Sequence, residues 1–437
     1  MTNYLRASYY LYCMMRHLHW SRQKIEEYRE KKLREVVKYA YENSRFYHRV
    51  FEKAGVKPDD IKKISDLNKL PIIRKEDVIK NLKDVVSVKH DIAKLKVQRT
   101  SGSTGRPLYV YMTQAENEFR KAKHLRAQIV LGQKPWDKWV TITSPLHFAE
   151  TTRLQRLFNF YSVNPISVFE DVSKQVSKIV ELKPDVIDGY SNSLLILARA
   201  IDKMGISSVK PKFLVSGAEL ISLPSRNYIE RIFEAPLYDQ YATVEFERIA
   251  WQCREKAEYH IDVDSVVLQF VDENGDEVAP GESGEIICTS LFNFAMPFIR
   301  YALDDVGVPS EKDECPCGRT FPLMKLIEGR KTSLLSFPSG KAIAPFAFIA
   351  AMKTYKYHDF IDLFRVVQTK RDRLVFKLKL REAHQNEEEI AKELEAHIRR
   401  ELDLKEEEVK IDVEFVEDIP LDKSGKFTIV ASEVTQT

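Results

Sequence analysis

The chain has 437 residues, enough for two or three domains and a large apolar core. Hydrophobic residues make up 44% and charged ones 30%, as in soluble globular proteins, and no run of about 20 apolar residues is present to span a bilayer. The 68 Lys and Arg nearly cancel the 65 Asp and Glu, so charge makes no case for nucleic acid or stable membrane insertion.

The first apolar stretch, Tyr9 to Met15, is too short and too aromatic for a secretory signal and reads as a helix packed on the body of the protein, with loose membrane contact as the alternative. Apolar residues at Ile25, Tyr28, Leu33, Val36, Val37, Ala40 and Tyr41 recur at helical spacing and predict helix from Ser21 to Ala54. Pro58 and Pro71 mark turns around a short helix. Short strands are expected at Leu95 to Arg99 and Leu108 to Met112, then a helix over Glu116 to Leu131. A buried strand at Trp139 to Thr143 precedes helices at Val172 to Leu182 and Ser191 to Met204 and a strand at Lys212 to Ser216. That alternation predicts α/β layers with a mostly parallel sheet. Between Ser265 and Thr289, β-rich runs joined by ENGDE and PGESGE turns predict antiparallel strands. Past Arg330 the pattern changes to strands at Leu374 to Leu380 and Val409 to Val416 about a charged helix, Glu387 to Leu402. The expected fold class is therefore α/β: a large multi-subdomain N-terminal domain over 1–328, with α/β layers and a β-rich subdomain, then a small α+β C-terminal domain over 329–437.

The five cysteines are few and odd in number, which argues against a disulfide scaffold and for a reducing, cytoplasmic location. Cys253, His260, Cys315 and Cys317 supply four soft or borderline ligands of the kind that hold tetrahedral zinc. The set reads as a structural zinc site, with unrelated thiols and a surface histidine as the alternative. Cys13 and Cys288 stand in apolar runs and read as core.

Glycine is scarce, at 15 residues, so a local cluster carries information. In RTSGSTGRP, Arg99 to Pro107, Gly102 and Gly105 stand among the hydroxyls of Thr100, Ser101, Ser103 and Thr104. Such a loop can present hydroxyls and backbone N–H groups to a phosphate with no Cβ in the way at the glycines. Neither the Walker pattern nor the dinucleotide fingerprint is present. A Ser/Gly hairpin turn is the simpler alternative.

Thr100 to Pro107 resembles, throughout, the phosphate loop of the adenylate-forming superfamily, TSG[ST]TG[KR]P. Further segments follow in that family's order. SGAE (Ser216 to Glu219) resembles the adenine-contacting loop, with Gly217, Ala218 and Glu219 in it. QYATVE (Gln240 to Glu245) stands in place of YGxTE, and MPFIRYALDD (Met296 to Asp305) resembles the segment whose last Asp binds ribose. EGRK (Glu328 to Lys331) resembles the hinge, and SGKF (Ser424 to Phe427) the segment with the adenylation lysine. Within the superfamily the likeness is to the phenylacetate-CoA ligase group and its capsule-biosynthesis relatives, through LPIIRKED (Leu70 to Asp77), ERIAWQC (Glu247 to Cys253) and the cysteine-rich segment ahead of the hinge.

The resemblance implies roles. Ser101, Gly102, Ser103, Thr104 and Gly105, with Thr100, would cradle the phosphates of ATP. Tyr241, beside Ala242, would flank adenine, and Glu245 would hold Mg²⁺. Asp305 would accept hydrogen bonds from the ribose, and Arg330 would contact ribose or phosphate. Lys426, on a mobile C-terminal domain, would reach the α-phosphate and the attacking oxygen. His147 and Phe148 stand where relatives place substrate-facing residues. From the residues alone, Glu245 also reads as an acid paired with Arg248 at helical spacing, Asp305 as a turn cap and Lys426 as a turn lysine.

The sequence departs from the ligase pattern at Ala242 and Val244, at Leu303 and Asp304 ahead of Asp305, at Thr332, and over Phe337 to Pro345. The expectation is AMP-forming activation of a small-molecule carboxylate, with coenzyme A or another small acceptor taking the product. Transfer of AMP to a coenzyme is the alternative, and a non-catalytic nucleotide sensor of the same fold is the third reading. A homodimer is left open.

Overall fold

The helical pattern expected over Ser21 to Ala54 folds as two helices, Arg22–Asn43 and Arg45–Ala54. Ser44 between them is extended, and its hydroxyl accepts from the Tyr47 amide, so it ends one helix and caps the next. The protein is described by a computed structural model that covers residues 3–100, 107–149, 151–256, 258–330, 335–343, 345–381, 386–420 and 427–434. It divides into two compact units, each built from two stretches of chain: Met1–Pro135 with Tyr238–Ile327, and Trp136–Leu237 with Glu328–Thr437.

The first unit packs its N-terminal helices with a largely antiparallel sheet. Strand order is Val266–Val271, Gly284–Ser290, Tyr301–Pro309, Leu323–Arg330, Tyr259–Ile261, Glu247–Gln252, Leu237–Thr243. The turn after Val271 closes with Gly275 at φ 86°, a conformation glycine takes without strain. Leu33, Val36, Phe51, Phe246, Trp251 and Phe298 belong to one buried cluster. A separate hairpin pairs Lys96–Arg99 with Tyr109–Met112. Thr100 closes it: its amide donates to the Leu108 carbonyl at 3.0 Å, and its hydroxyl accepts from the Leu108 amide at 2.9 Å.

This core also buries charge. The helix Gln114–Leu131 places Arg120, Lys123 and Arg126 inside. Arg126 pairs with Asp262 and Asp264, and Asp264 also meets His17 Nδ1 at 2.8 Å, at the end of the helix Tyr4–His17. Removing one partner of such a buried pair typically costs about 3–5 kcal/mol, so this network fastens the N-terminal helix to the unit.

The second unit contains the parallel sheet the alternation predicted. Phe213–Gly217, Val186–Tyr190, Trp139–Thr143 and Val163–Ser167 lie side by side in that order, with the helices Val172–Leu182, Ser191–Lys203 and Leu223–Phe233. Its later stretch forms a sheet ordered Lys410–Phe415, Arg373–Leu380, Ile361–Lys370, Val430–Ser432, with helices Pro345–Thr354 and Glu387–Leu402. Among the described residues no helix is long and apolar enough to cross a membrane.

Candidate active site

In the first unit the candidate nucleotide residues sit on neighbouring strands and the loops between them. Tyr241 lies on Leu237–Thr243, and the register slips between Tyr241 and Ala242 where that strand pairs with Glu247–Gln252. The Tyr241 hydroxyl donates to Asp305 Oδ2 at 2.6 Å. Burial, with the Asp305 charge next, pushes the phenol well above its ordinary value, so it stays a donor. Asp305 owes its direction to an irregularity. Glu285 pairs with Val306 and Ile287 with Ala302, so Leu303, Asp304 and Asp305 stand against Ile286 alone. Extra residues on one strand make a bulge, which re-aims side chains. Asp305 is thus a strand residue, not the turn cap that was the alternative.

Glu245 is buried in the loop between the strands Leu237–Thr243 and Glu247–Gln252. One carboxylate oxygen accepts from the Tyr301 hydroxyl at 3.3 Å. Pairing with Arg248 at helical spacing does not occur: Arg248 lies on a strand and bonds Asp262 with the carbonyls of Lys123 and His124. A single buried carboxylate suits Mg²⁺, which takes one or two carboxylates together with phosphate oxygens.

Sequence reasoning missed Arg120, which is fully enclosed. It donates to the carbonyls of Val244 at 2.8 Å and Glu245 at 3.2 Å, and to Gln98 Oε1 at 3.0 Å. Gln98 belongs to the hairpin strand that leads into the glycine-rich segment. Asn293 adds a bond to the Glu245 carbonyl at 3.0 Å. No local pattern announces Arg120; a long basic residue at a helix position that points inward was the signal available. Ser101 to Gly105 and Lys426 lie outside the described residues, as does Thr332. Arg330 closes the strand Leu323–Arg330.

In the second unit Gly217 ends a buried strand and Ala218 takes φ 65°, turning the chain so that Glu219 faces the helix Ser191–Lys203. Glu219 Oε2 accepts from the Asn192 amide at 3.0 Å, and a carboxylate suits that helix N-terminus. Its other oxygen accepts from the Phe427 amide, and its carbonyl from Ser191 Oγ at 3.0 Å. Phe427 is itself buried, with the Arg365 guanidinium 5.0 Å from its ring centre. The residue that follows Lys426 is therefore anchored at Glu219. His147 and Phe148 lie on the exposed turn after Trp139–Thr143.

The four metal-ligand candidates do come together in the first unit. The ligand atoms of Cys253, His260, Cys315 and Cys317 lie within 4.8 Å of one another. Cys253 and Cys315 sulfurs are 3.6 Å apart, and Cys317 Sγ is 3.3 Å from His260 Nε2. Zinc–sulfur bonds of about 2.3 Å in a tetrahedron put ligand atoms roughly 3.5–4 Å apart, so the cluster fits zinc. Burial, helped by Arg319, pushes His260 down to about 4, which keeps the imidazole neutral, its ligand form. Cys288 is buried as expected, whereas Cys13 is only half-buried.

Residues 335–433 match the CapK C-terminal domain family. The phenylacetate-coenzyme A ligase of Escherichia coli is 29% identical over 322 residues, 70% of each chain. That of Thermus thermophilus is 25% identical over 321 residues, 72% of each chain. Among solved structures, 2-hydroxyisobutyryl-CoA ligase in its postadenylation state with R3-HIB-AMP superposes with a TM-score of 0.80 at 19% identity, over 95% of this chain and 91% of that one. The likeness shows a shared fold.

Proposed function

We propose that this chain, a homologue of the phenylacetate-coenzyme A ligases on an adenylate-forming ligase fold, uses ATP to activate a carboxylate. A carboxylate oxygen attacks the α-phosphorus, pyrophosphate leaves, and an acyl adenylate forms. The acyl group then passes to the coenzyme A thiol, and AMP leaves.

One observation carries the reading. A continuous set of contacts in the first unit runs from Gln98 through Arg120 to Val244 and Glu245, on to Tyr301, and along its strand to Asp305 and Tyr241. These are the segments that would hold phosphates, magnesium and ribose. Ser101 to Gly105 and Thr100 cradle the phosphates. Glu245 would hold Mg²⁺, whose charge would offset that of the phosphates when bound. Asp305 accepts from the ribose hydroxyls, and Tyr241 and Ala242 flank the adenine. Lys426, from a mobile domain over 329–437, neutralises charge that develops at the α-phosphate. His147 and Phe148 line the acid's side of the site. Cys253, His260, Cys315 and Cys317 hold a structural zinc. The enzyme works in the cytoplasm, where these thiols stay reduced.

A second reading draws on the departures from the ligase pattern at Val244, Thr332 and Phe337 to Pro345, in a chain whose C-terminal stretch matches the CapK domain. In the second reading AMP is transferred to a coenzyme, or the acyl group to an acceptor other than coenzyme A. Product analysis with ATP, Mg²⁺ and a panel of carboxylates, with and without coenzyme A, tests both. AMP and pyrophosphate are expected. Release of ADP and phosphate, or no acid-dependent turnover of ATP, would sink the proposal.

A further inference from the structure

The bulge that aims Asp305 is held from outside by a segment with no assigned role. Ile73 donates its amide to the Arg300 carbonyl at 2.8 Å and accepts from the Ala302 amide at 2.9 Å, which lays residue 73 alongside Tyr301 as a short parallel bridge. Arg300 is buried at φ 47° and donates to the Leu70 carbonyl at 2.6 Å. The chain ahead of Arg74 is thus sewn to the start of the strand Tyr301–Pro309.

Arg74 then spans the irregular register. Its guanidinium makes a forked pair with Glu285, with Nη2 to Oε2 at 3.0 Å, and its Nη1 lies 3.6 Å from Asp304 Oδ1. Glu285 is the last residue in register before the bulge, and Asp304 is inside it. Asp304 is at φ 57°, a left-handed conformation that strains any residue with a Cβ and that glycine takes freely. Holding a non-glycine residue there requires surrounding contacts. The fork fixes the guanidinium on the buried Glu285, and the second carboxylate is drawn to the same cation.

We infer that Arg74 is a positioning residue for ATP: by pinning Glu285 and Asp304 across the bulge, it holds Asp305 in the direction that meets the ribose. This inference rests on the proposed role of Asp305. Arg74 touches no reacting atom, and its effect reaches ATP only through the next carboxylate along the strand.

The test compares binding of ATP and 2′,3′-dideoxy-ATP by the full chain, with ATP KM and kcat from pyrophosphate exchange. The wild-type chain should prefer ATP, and Asp305→Ala should remove that preference. Arg74→Ala should weaken ATP binding about tenfold, the scale of one hydrogen bond to a charged group, with kcat little changed and the preference for ATP reduced in step. Asp304→Gly placed on Arg74→Ala should restore the preference, because glycine needs no clamp. If Arg74→Ala proves unstable, Asp304→Ala against Asp304→Gly asks the same question, with loss expected only for Ala. A folded Arg74→Ala that keeps the wild-type preference overturns the inference, as do equal effects of Asp304→Ala and Asp304→Gly. If Asp305→Ala itself keeps the preference, the ribose reading has failed, and Arg74 has nothing to position.

Discussion

The Tyr241 hydroxyl sits 2.6 Å from Asp305 Oδ2 and donates a hydrogen bond to that carboxylate. The bond orients the carboxylate that would meet ribose. Tyr241→Phe keeps the ring and removes the donor. ATP KM is expected to rise about fivefold, the worth of roughly 1 kcal/mol, with kcat near that of wild type. Asp305→Ala should cost more, on the order of 10- to 100-fold in kcat/KM, because a hydrogen-bonding charge is lost. Pyrophosphate-exchange kinetics of both variants, side by side, would settle the order.

Zinc is expected in freshly purified protein in equimolar amount to the chain, by elemental analysis. Cys317→Ser should lower the zinc content, and chelation should lower the melting temperature by several degrees, because metal binding free energy is folding free energy. Both changes should leave the AMP-forming step intact at low temperature, since no ligand reaches the nucleotide segments in the contacts described. Protein isolated without a chelator and free of zinc would remove the assignment.

Lys123 supplies a pH test. It is fully buried, bonded to the Phe246 carbonyl at 3.1 Å, and burial lowers it from 10.5 to about 8. The folded state gives up this proton before the unfolded state does. The cost of burying the charge is fully present below pH 8 and is relieved as pH rises from about 8 toward 10.5. Wild-type stability should therefore gain relative to Lys123→Met across that window, by up to about 3 kcal/mol at about 1.4 kcal/mol per pH unit. Urea midpoints of both proteins at pH 7.5, 9 and 10 (roughly spanning the window) measure it. A difference that stays constant would contradict the shift.

Lys426→Ala should lower adenylation by on the order of 100-fold or more, as loss of a charge-stabilising group typically does, while the melting temperature stays put. Unchanged turnover would take the role from Lys426.

What local sequence could announce, it announced well. Trp139–Thr143, Val172–Leu182 and Glu387–Leu402 fall where apolar runs and helical spacing put them. The break at Ser44 was hidden, because its hydroxyl also donates to the Asp84 carbonyl, 40 residues away. The grouping of Cys253, His260, Cys315 and Cys317 was legible since few such residues exist to combine. The machinery around Asp305 was not. Tyr241 stands 64 positions from Asp305, and Arg74 stands 211 from Glu285. The motif around Tyr241 marked it as a neighbour of adenine but not as the partner of Asp305, and Arg74 looks like an ordinary basic residue until the sheet register brings it to Glu285. Asp304 stood out in the sequence only as a departure from the ligase pattern, although its left-handed backbone is what calls for Arg74.

Calorimetric titration of Mg²⁺ and ATP into the wild-type chain and into Asp305→Ala tests the central claim most directly. The account predicts saturable ATP binding by the wild-type chain, weakened on the order of tenfold or more by Asp305→Ala. No ATP binding in the presence of Mg²⁺, or identical binding by both proteins, would contradict it.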